Sequence, residues 1–196
     1  MIAIIDYGAG NLNSVKKAFD HLGAAVTVTD QTETVAAADK IVFPGVGHFS
    51  SLQALERKGL RAALFQAASA GKPLLGICLG MQWLFEGSEE CPEIAGSGFF
   101  TGKCRLFPSS VKSPHVGWNS LRVQEDSRLL RGIPQDSFVY YTHSFYAPVL
   151  AATIAASDYG LQFTAAVERG NIFGVQFHPE KSGDVGFAIL NNFCEV

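Results

Sequence analysis

The sequence predicts an α/β fold: a single domain with a central, mostly parallel sheet flanked by helices, plus antiparallel strands in the second half. Three observations predict it. The first half alternates short apolar runs with segments of helical period, as strand–helix–strand units with right-handed crossovers do. From Gly96 to about Val123 the segments are short and broken by Gly, Pro and Ser, which suits antiparallel strands and hairpins. Residues 74–82, Leu-Leu-Gly-Ile-Cys-Leu-Gly-Met-Gln, read as the end of a buried parallel strand, a tight turn and the start of a partly buried helix.

Composition fits one globular domain. A chain of 196 residues can build a full core without metals or disulfides. Hydrophobic residues make up 47% and charged residues 17%, a balance that excludes a disordered chain. The net charge of −3 gives no reason to expect nucleic acid or an anionic membrane as partner. No apolar run approaches a membrane span, and the first residues lack the basic-then-apolar pattern of a signal peptide. The four cysteines, Cys78, Cys91, Cys104 and Cys194, form no C-x-x-C pair and no metal-ligand spacing. Reduced thiols and a cytoplasmic location are therefore expected, with no metal and no cofactor.

Taken in order, Ile2 to Ile5 is a short apolar run closed by Asp6-Tyr7-Gly8-Ala9-Gly10. That turn lacks the full G-x-G-x-x-G spacing, so no phosphate-binding role is assigned to it. Asn11 or Asn13 caps a helix running to about Leu22, with Val15, Ala18, Phe19 and Leu22 on one face and Gly23 at its C-cap. His21 in its last turn is a favourable dipole partner. Ala25 to Val28 and Ile41 to Phe43 are the next strands. The second runs into Pro44-Gly45-Val46-Gly47-His48-Phe49, whose glycines leave backbone N–H groups exposed, either for an oxyanion or in a plain sharp turn. A helix is predicted from about Ser51 to Ala70, stopped by Gly71-Lys72-Pro73.

In the second half, Asp126 to Leu130 reads as one or two helical turns. Strands are predicted over Phe138–Thr142, Ala152–Ala156, Thr164–Val167 and Ile172–Phe177, with a Gly170-Asn171 hairpin between the last two. Gly183 to Phe193 closes the chain as an amphipathic helix. There is no internal repeat and no linker that would split the domain.

The chemistry concentrates in two stretches. Gly76-Ile77-Cys78-Leu79-Gly80 has the Gly-x-nucleophile-x-Gly pattern of a nucleophile elbow, where small neighbours relieve a strained turn. The helix N-terminus beyond it favours a thiolate. The alternative is a buried structural cysteine. In Gly174-Val175-Gln176-Phe177-His178-Pro179-Glu180, Pro179 biases His178 towards extended geometry. If Glu180 is also extended, the two side chains point the same way, and the carboxylate orients the imidazole. The alternative is a strand ending in a Pro turn with both side chains in solvent. Combined with the elbow, the stretch provides a Cys78–His178–Glu180 triad.

These motifs carry a resemblance. G-I-C-L-G-M-Q at 76–82 with H-P-E at 178–180 is similar to the triad-type, class I glutamine amidotransferases. P-G-V-G-H-F at 44–49, H-V-G-W-N at 115–119, Y-T-H-S-F-Y at 141–146 and Q-F-H-P-E-K-S at 176–182 together resemble the glutaminase subunits of imidazole glycerol phosphate synthase. The likeness covers effectively the whole chain. It implies that Cys78 attacks the side-chain amide of glutamine with His178 as base. It further implies an oxyanion held by the N–H groups of Val46 and Leu79, and glutamine contacts from Gly47, Gln82, Glu90, Ser144 and Phe145. The implied partner is a (β/α)8-barrel cyclase that consumes the ammonia, with Trp118 and Lys181 at or near the interface.

Two positions depart from the family pattern: His48, which would crowd the mouth of the site, and Phe145, which lacks a tyrosine hydroxyl but keeps its backbone. Three rival readings remain. They are a pyridoxal-phosphate-synthase glutaminase, a stand-alone cysteine hydrolase such as a gamma-glutamyl hydrolase, and a catalytically dead binding module. The G-G-E-S and H-P-E-L segments expected of the first are absent.

Overall fold

In the computed structural model, residues 1–8, 10–124 and 127–196 are described. The first half runs β1 (Ile2–Ile5), α1 (Leu12–His21), β2 (Val26–Thr29), α2 (Thr32–Ala37), β3 (Lys40–Gly45), α3 (Gln53–Arg57), α4 (Leu60–Ser69), β4 (Leu74–Cys78) and α5 (Leu79–Trp83). Short strands follow: β5 (Gly87–Ser88), β6 (Lys103–Leu106), β7 (His115–Ser120) and β8 (Arg122–Val123). The remainder is β9 (Phe138–His143), β10 (Phe145–Tyr146), β11 (Thr153–Asp158), β12 (Gln162–Arg169), β13 (Ile172–Val175) and α6 (Gly183–Glu195).

The main sheet has eight strands in the order β2-β1-β3-β4-β13-β12-β11-β8. Pairings from β2 across to β13 are parallel, and those from β13 to β8 are antiparallel. The α/β expectation with a parallel first half therefore holds. The central strands are continuous apolar runs because both their faces are buried. Ile4, Val42, Leu75 and Ile77 point into a core shared with α1 and α6, through Val15, Phe19, Ile189 and Phe193. Their neighbours Ile5, Ile41, Phe43 and Leu74 point into the opposite core, shared with α2 to α5 through Val35, Leu55, Leu64 and Trp83. Among the described residues, no helix is long and apolar enough to cross a membrane.

Several local expectations are corrected. The helix predicted over residues 51–70 is broken in two. Phe49–Leu52 is a 3₁₀ turn, and Gly59 at φ +68° separates α3 from α4. The apolar spacing ran through the break because both helices pack on one core. The helix α2 was not anticipated. The strands between residues 96 and 123 make no sequential hairpins: β6 pairs with β5 and β10, β7 with β9, and β8 with β11. Ser127 to Leu130 is a turn rather than a helix; Asp126 lies outside the described residues, as does Ala9. The Gly170-Asn171 hairpin is present between β12 and β13.

Candidate active site

Three adjacent parallel strands deliver the site. Gly45, the last residue of β3, pairs with Cys78, the last of β4, while Val175 at the end of β13 pairs with Ile77. Segments 44–49, 78–82 and 176–182 therefore leave the sheet side by side at its carboxyl edge, where α/β sheets place their ligands. Cys78 has φ 53° and ψ −109°, an uncommon conformation for a residue with a Cβ. Its flanking glycines are required sterically. A Cβ on Gly76 would lie 2.6 Å from the Gly80 carbonyl oxygen, and one on Gly80 would lie 1.8 Å from that of Phe43. The helix beyond, α5, differs from expectation in being only five residues long and wholly buried. So short a helix has little macrodipole to offer the sulfur.

His178 follows β13 in extended conformation, and Pro179–Lys181 then turns into a 3₁₀ helix. Glu180 is thus not extended, the condition under which the contact was expected, yet the contact exists. His178 Nδ1 lies 2.8 Å from Glu180 Oε1, with both side chains buried. The tight turn folds the carboxylate back onto the ring, and Ser182 Oγ locks it by donating to the His178 carbonyl at 2.6 Å. Burial works against a charged His178 ring, but the hydrogen bond to Glu180 and the charges of Cys78 and Glu180 outweigh it, raising the ring to about 10. Its Nε2 is buried without a hydrogen-bond partner.

Beside the sulfur lies a cavity of about 240 Å³. Val46, Gly47, Cys78, Leu79, Gln82 and Glu90 form one wall, and Pro114 with Thr142 to Phe145 forms the other. The residues expected to contact substrate, Gly47, Gln82, Glu90, Ser144 and Phe145, all line it. Gln82 is buried, and Glu90 lies in a turn after β5. Glu90 Oε2 accepts from the Phe49 backbone N–H at 2.7 Å, which ties it to the Pro-Gly-Val-Gly segment. The Phe145 carbonyl accepts from Gln82 Nε2 at 3.0 Å and from His143 Nδ1 at 2.9 Å, so this backbone is engaged internally. His48 does not line the cavity. Its exposed ring accepts from the Ser50 N–H at 3.1 Å and starts the 3₁₀ turn.

Trp118 and Lys181 converge outside the cavity. The Trp118 ring meets Tyr140 edge-on at 6.1 Å, and Lys181 Nζ stands 5.8 Å from the centroid of that tyrosine. Trp118 is 55% exposed, beside exposed Val116 and Phe138, so it is not a core residue. Two site neighbours escaped the sequence reading. Asn11 does not cap α1 with its side chain but donates to Glu180 Oε1. Gln176, fully buried, points Nε2 at Cys78 Sγ from 3.7 Å. A polar residue inside the apolar run Val175-Gln176-Phe177 was the available signal, since buried amides need partners. Asn11 carried no such signal.

The family model described as glutamine amidotransferase class-I matches residues 3–196. The chain belongs to the class I glutamine amidotransferase family. Within this family it is 47% identical to the imidazole glycerol phosphate synthase subunit HisH of Bacillus cereus (strain B4264), covering 100% of this chain and 95% of that one. HisH of Methanothermobacter thermautotrophicus is also 47% identical, with 100% and 98% covered. A crystal structure of a glutamine amidotransferase superposes with TM-score 0.79 at 16% identity, covering 100% of this chain and 98% of that chain. PurLQS from Thermotoga maritima gives TM-score 0.76 at 18% identity, with 99% and 97% covered. These two likenesses carry the amidotransferase fold, and the HisH relatives place the chain in the HisH branch of the family.

Proposed function

We propose that the chain is a single amidotransferase domain that hydrolyses glutamine and passes the ammonia to a cyclase subunit. The observation that carries this reading is the buried His178–Glu180 pair at 2.8 Å, in the segment that follows β13, the strand next to the Cys78 elbow and its cavity. In the mechanism, His178 takes the Cys78 proton and the thiolate attacks the side-chain amide carbon of glutamine. Leu79 opens α5, so its N–H has no intrahelical acceptor and is available to the oxyanion, together with that of Val46. The imidazolium returns its proton to the departing ammonia, then activates water to hydrolyse the glutamyl thioester. Glu180 holds the ring and stabilises its charged form, with Asn11 fixing the carboxylate. Glu90 is suited to the α-ammonium group of glutamine.

Ammonia is useful only if it reaches its acceptor before it is protonated in bulk water. Full-length identity to HisH favours a (β/α)8-barrel cyclase of imidazole glycerol phosphate synthase as that acceptor's host. The same identity favours this reading over a pyridoxal-phosphate-synthase or stand-alone hydrolase. The cyclase would combine ammonia with a phosphoribulosyl-formimino nucleotide to give imidazole glycerol phosphate and an aminoimidazole carboxamide ribotide, in the cytoplasm. The Trp118–Tyr140–Lys181 patch is the docking surface in this scheme. Docking would gate the site by turning the peptide around Val46, flanked by Gly45 and Gly47, from carbonyl-in to N–H-in. Loss of one such donor costs on the order of 10²–10³ in rate, enough for a gate.

The decisive experiment is Cys78→Ala in the complex with the cyclase. Glutamine-dependent synthesis should vanish while synthesis from added ammonium salts persists. Loss of both activities would remove the support for Cys78 as the nucleophile.

A further inference from the structure

The mechanism leaves the histidines of two sequence motifs, H-V-G-W-N and Y-T-H-S-F-Y, without a role. Their strands, β7 and β9, pair so that His115 stands opposite His143. Both rings are buried, and they are joined by hydrogen bonds whose directions are determined. His143 Nδ1 lies 2.9 Å from the Phe145 carbonyl oxygen. A carbonyl only accepts, so this nitrogen carries hydrogen and, in the neutral ring, Nε2 is an acceptor. His115 Nδ1, 3.0 Å from that Nε2, must therefore donate. Its own Nε2 then accepts from Asn119 Nδ2 at 3.5 Å. The Asn119 amide is oriented independently: Oδ1 accepts from the Ser120 N–H at 2.8 Å, and Nδ2 donates to the Asp158 carbonyl at 2.8 Å. A proton added to either ring would set two N–H groups against each other.

The histidine donors end at the Phe145 carbonyl, and a second run of donors connects that oxygen to the sulfur. The Phe145 carbonyl also accepts from Gln82 Nε2 at 3.0 Å, and that nitrogen donates to Gln176 Oε1 at 3.2 Å. With its oxygen held by Gln82, Gln176 turns Nε2 towards Cys78 Sγ, 3.7 Å away. Flipping the Gln176 amide would press its NH₂ against that of Gln82 and its oxygen against the sulfur. We infer that Gln176 is a positioning residue whose amide, oriented through Gln82 by the Phe145 carbonyl that His143 and His115 hold in place, presents a hydrogen, and not an oxygen, to Cys78. The inference rests on the reading of Cys78 as nucleophile and deepens it. A donor at that place strengthens as the sulfur becomes a thiolate, because hydrogen bonds to ionised groups are the stronger ones.

Packing alone would not require histidine. Phe107 and Phe163 surround both rings, and Tyr141 and Tyr159 stack on His115. What histidine adds is a fixed tautomer in a site that resists protonation. Burial pushes His115 down to about 4; for His143, burial and the nearby His115 and His178 outweigh the Phe145 hydrogen bond, leaving it at about 3.

Two measurements on the full chain test this. Nitrogen-15 NMR of the histidine side chains from pH 5.5 to 8.5 should find His115 and His143 as neutral Nδ1–H tautomers that do not titrate. An Nε2–H tautomer or a protonated ring would overturn the inference, and this readout needs no variant. Iodoacetamide alkylation of Cys78, followed against pH by peptide mapping, is the second. Gln176→Glu and His143→Phe should move its midpoint up by about one unit, roughly tenfold slower reaction below the midpoint. His143→Gln keeps an N–H for the Phe145 carbonyl and should recover most of the loss. An unchanged profile in Gln176→Glu would overturn the inference. Glutamine hydrolysis by the wild-type complex is scored separately, so the proposed function can fail while the tautomer chain stands, and the reverse.

Discussion

Replacing Gly80 by alanine tests the elbow where the geometry is least forgiving. A Cβ there would stand 1.8 Å from the Phe43 carbonyl oxygen and 2.9 Å from its carbon. Both atoms belong to the backbone of β3, a strand held on either side by β1 and β4, so no side chain can rotate away. Reaching ordinary contact near 3.4 Å requires α5 and β3 to separate by about 1.6 Å. Helix propensity argues the other way, favouring Ala over Gly by about 1 kcal/mol. Overpacking costs about 1–3 kcal/mol, and rigid backbone on both sides puts this site at the upper end. The steric effect therefore wins, for a net loss of about 1–2 kcal/mol. The effect on rate is larger, because α5 carries Leu79 and Gln82 and begins directly after Cys78. A misplacement of about 1 Å costs on the order of 10²-fold. Urea unfolding gives the stability, and glutamine hydrolysis in the cyclase complex gives the rate, with ammonium-dependent synthesis as the control for assembly. Gly71→Ala is the matched control: φ is +82° and the space is open, so it should cost about 1–2 kcal/mol in stability and nothing in turnover. Full glutaminase activity in Gly80→Ala would refute the steric reading of the elbow.

A diazo-ketone analogue of glutamine should label Cys78 and spare the other thiols. The Glu93 carboxylate, 3.0 Å from Cys91, pushes that thiol up to about 11, and burial raises Cys104 and Cys194. Label spread over several cysteines in a peptide map would count against the assignment. Because His178 is raised from 6.5 to about 10 in the fold, the stability it contributes is complete below pH 6.5 and is lost as pH rises through 10. Glu180→Gln removes part of that elevation, so the wild-type advantage in urea unfolding should be larger at pH 6 than at pH 10.5. An equal gap at both would contradict the pairing. Trp118→Ala, at a 55% exposed position, should leave the isolated chain's stability nearly unchanged. As an interface anchor, its loss should weaken cyclase binding by about 2 kcal/mol, roughly 30-fold in Kd. The gating reading requires turnover to rise from chain alone, to chain with cyclase, to chain with cyclase and nucleotide, and equal rates in all three would end it.

Regular elements were legible where one local cause governs them. α1 and α6 show apolar residues on one face because each covers one side of the sheet, and β1, β3 and β4 are continuous apolar runs because helices bury both their sides. The break at Gly59 was hidden because Leu55 and Leu60 enter the same core, so the apolar spacing continued across it. Partner choice for β6, β7 and β8 was hidden for another reason. Their partners lie across long loops, and no local pattern names a strand's neighbour.

By itself, the sequence determined the chemistry on offer: a cysteine between glycines after a buried strand, and a histidine and glutamate held close by an intervening proline. Covalent proximity alone keeps His178 and Glu180 within reach, which is why their contact survives although the turn is 3₁₀ and not extended. Tertiary structure alone decided which distant groups complete that chemistry. Asn11 reaches Glu180 across 169 positions, Gln176 reaches Cys78 across 98, and His115 reaches His143 across 28. Such contacts depend on strand order and register, which the whole core sets together. Hydrogen-bond direction, and with it the tautomer of each histidine, exists only once those partners have met.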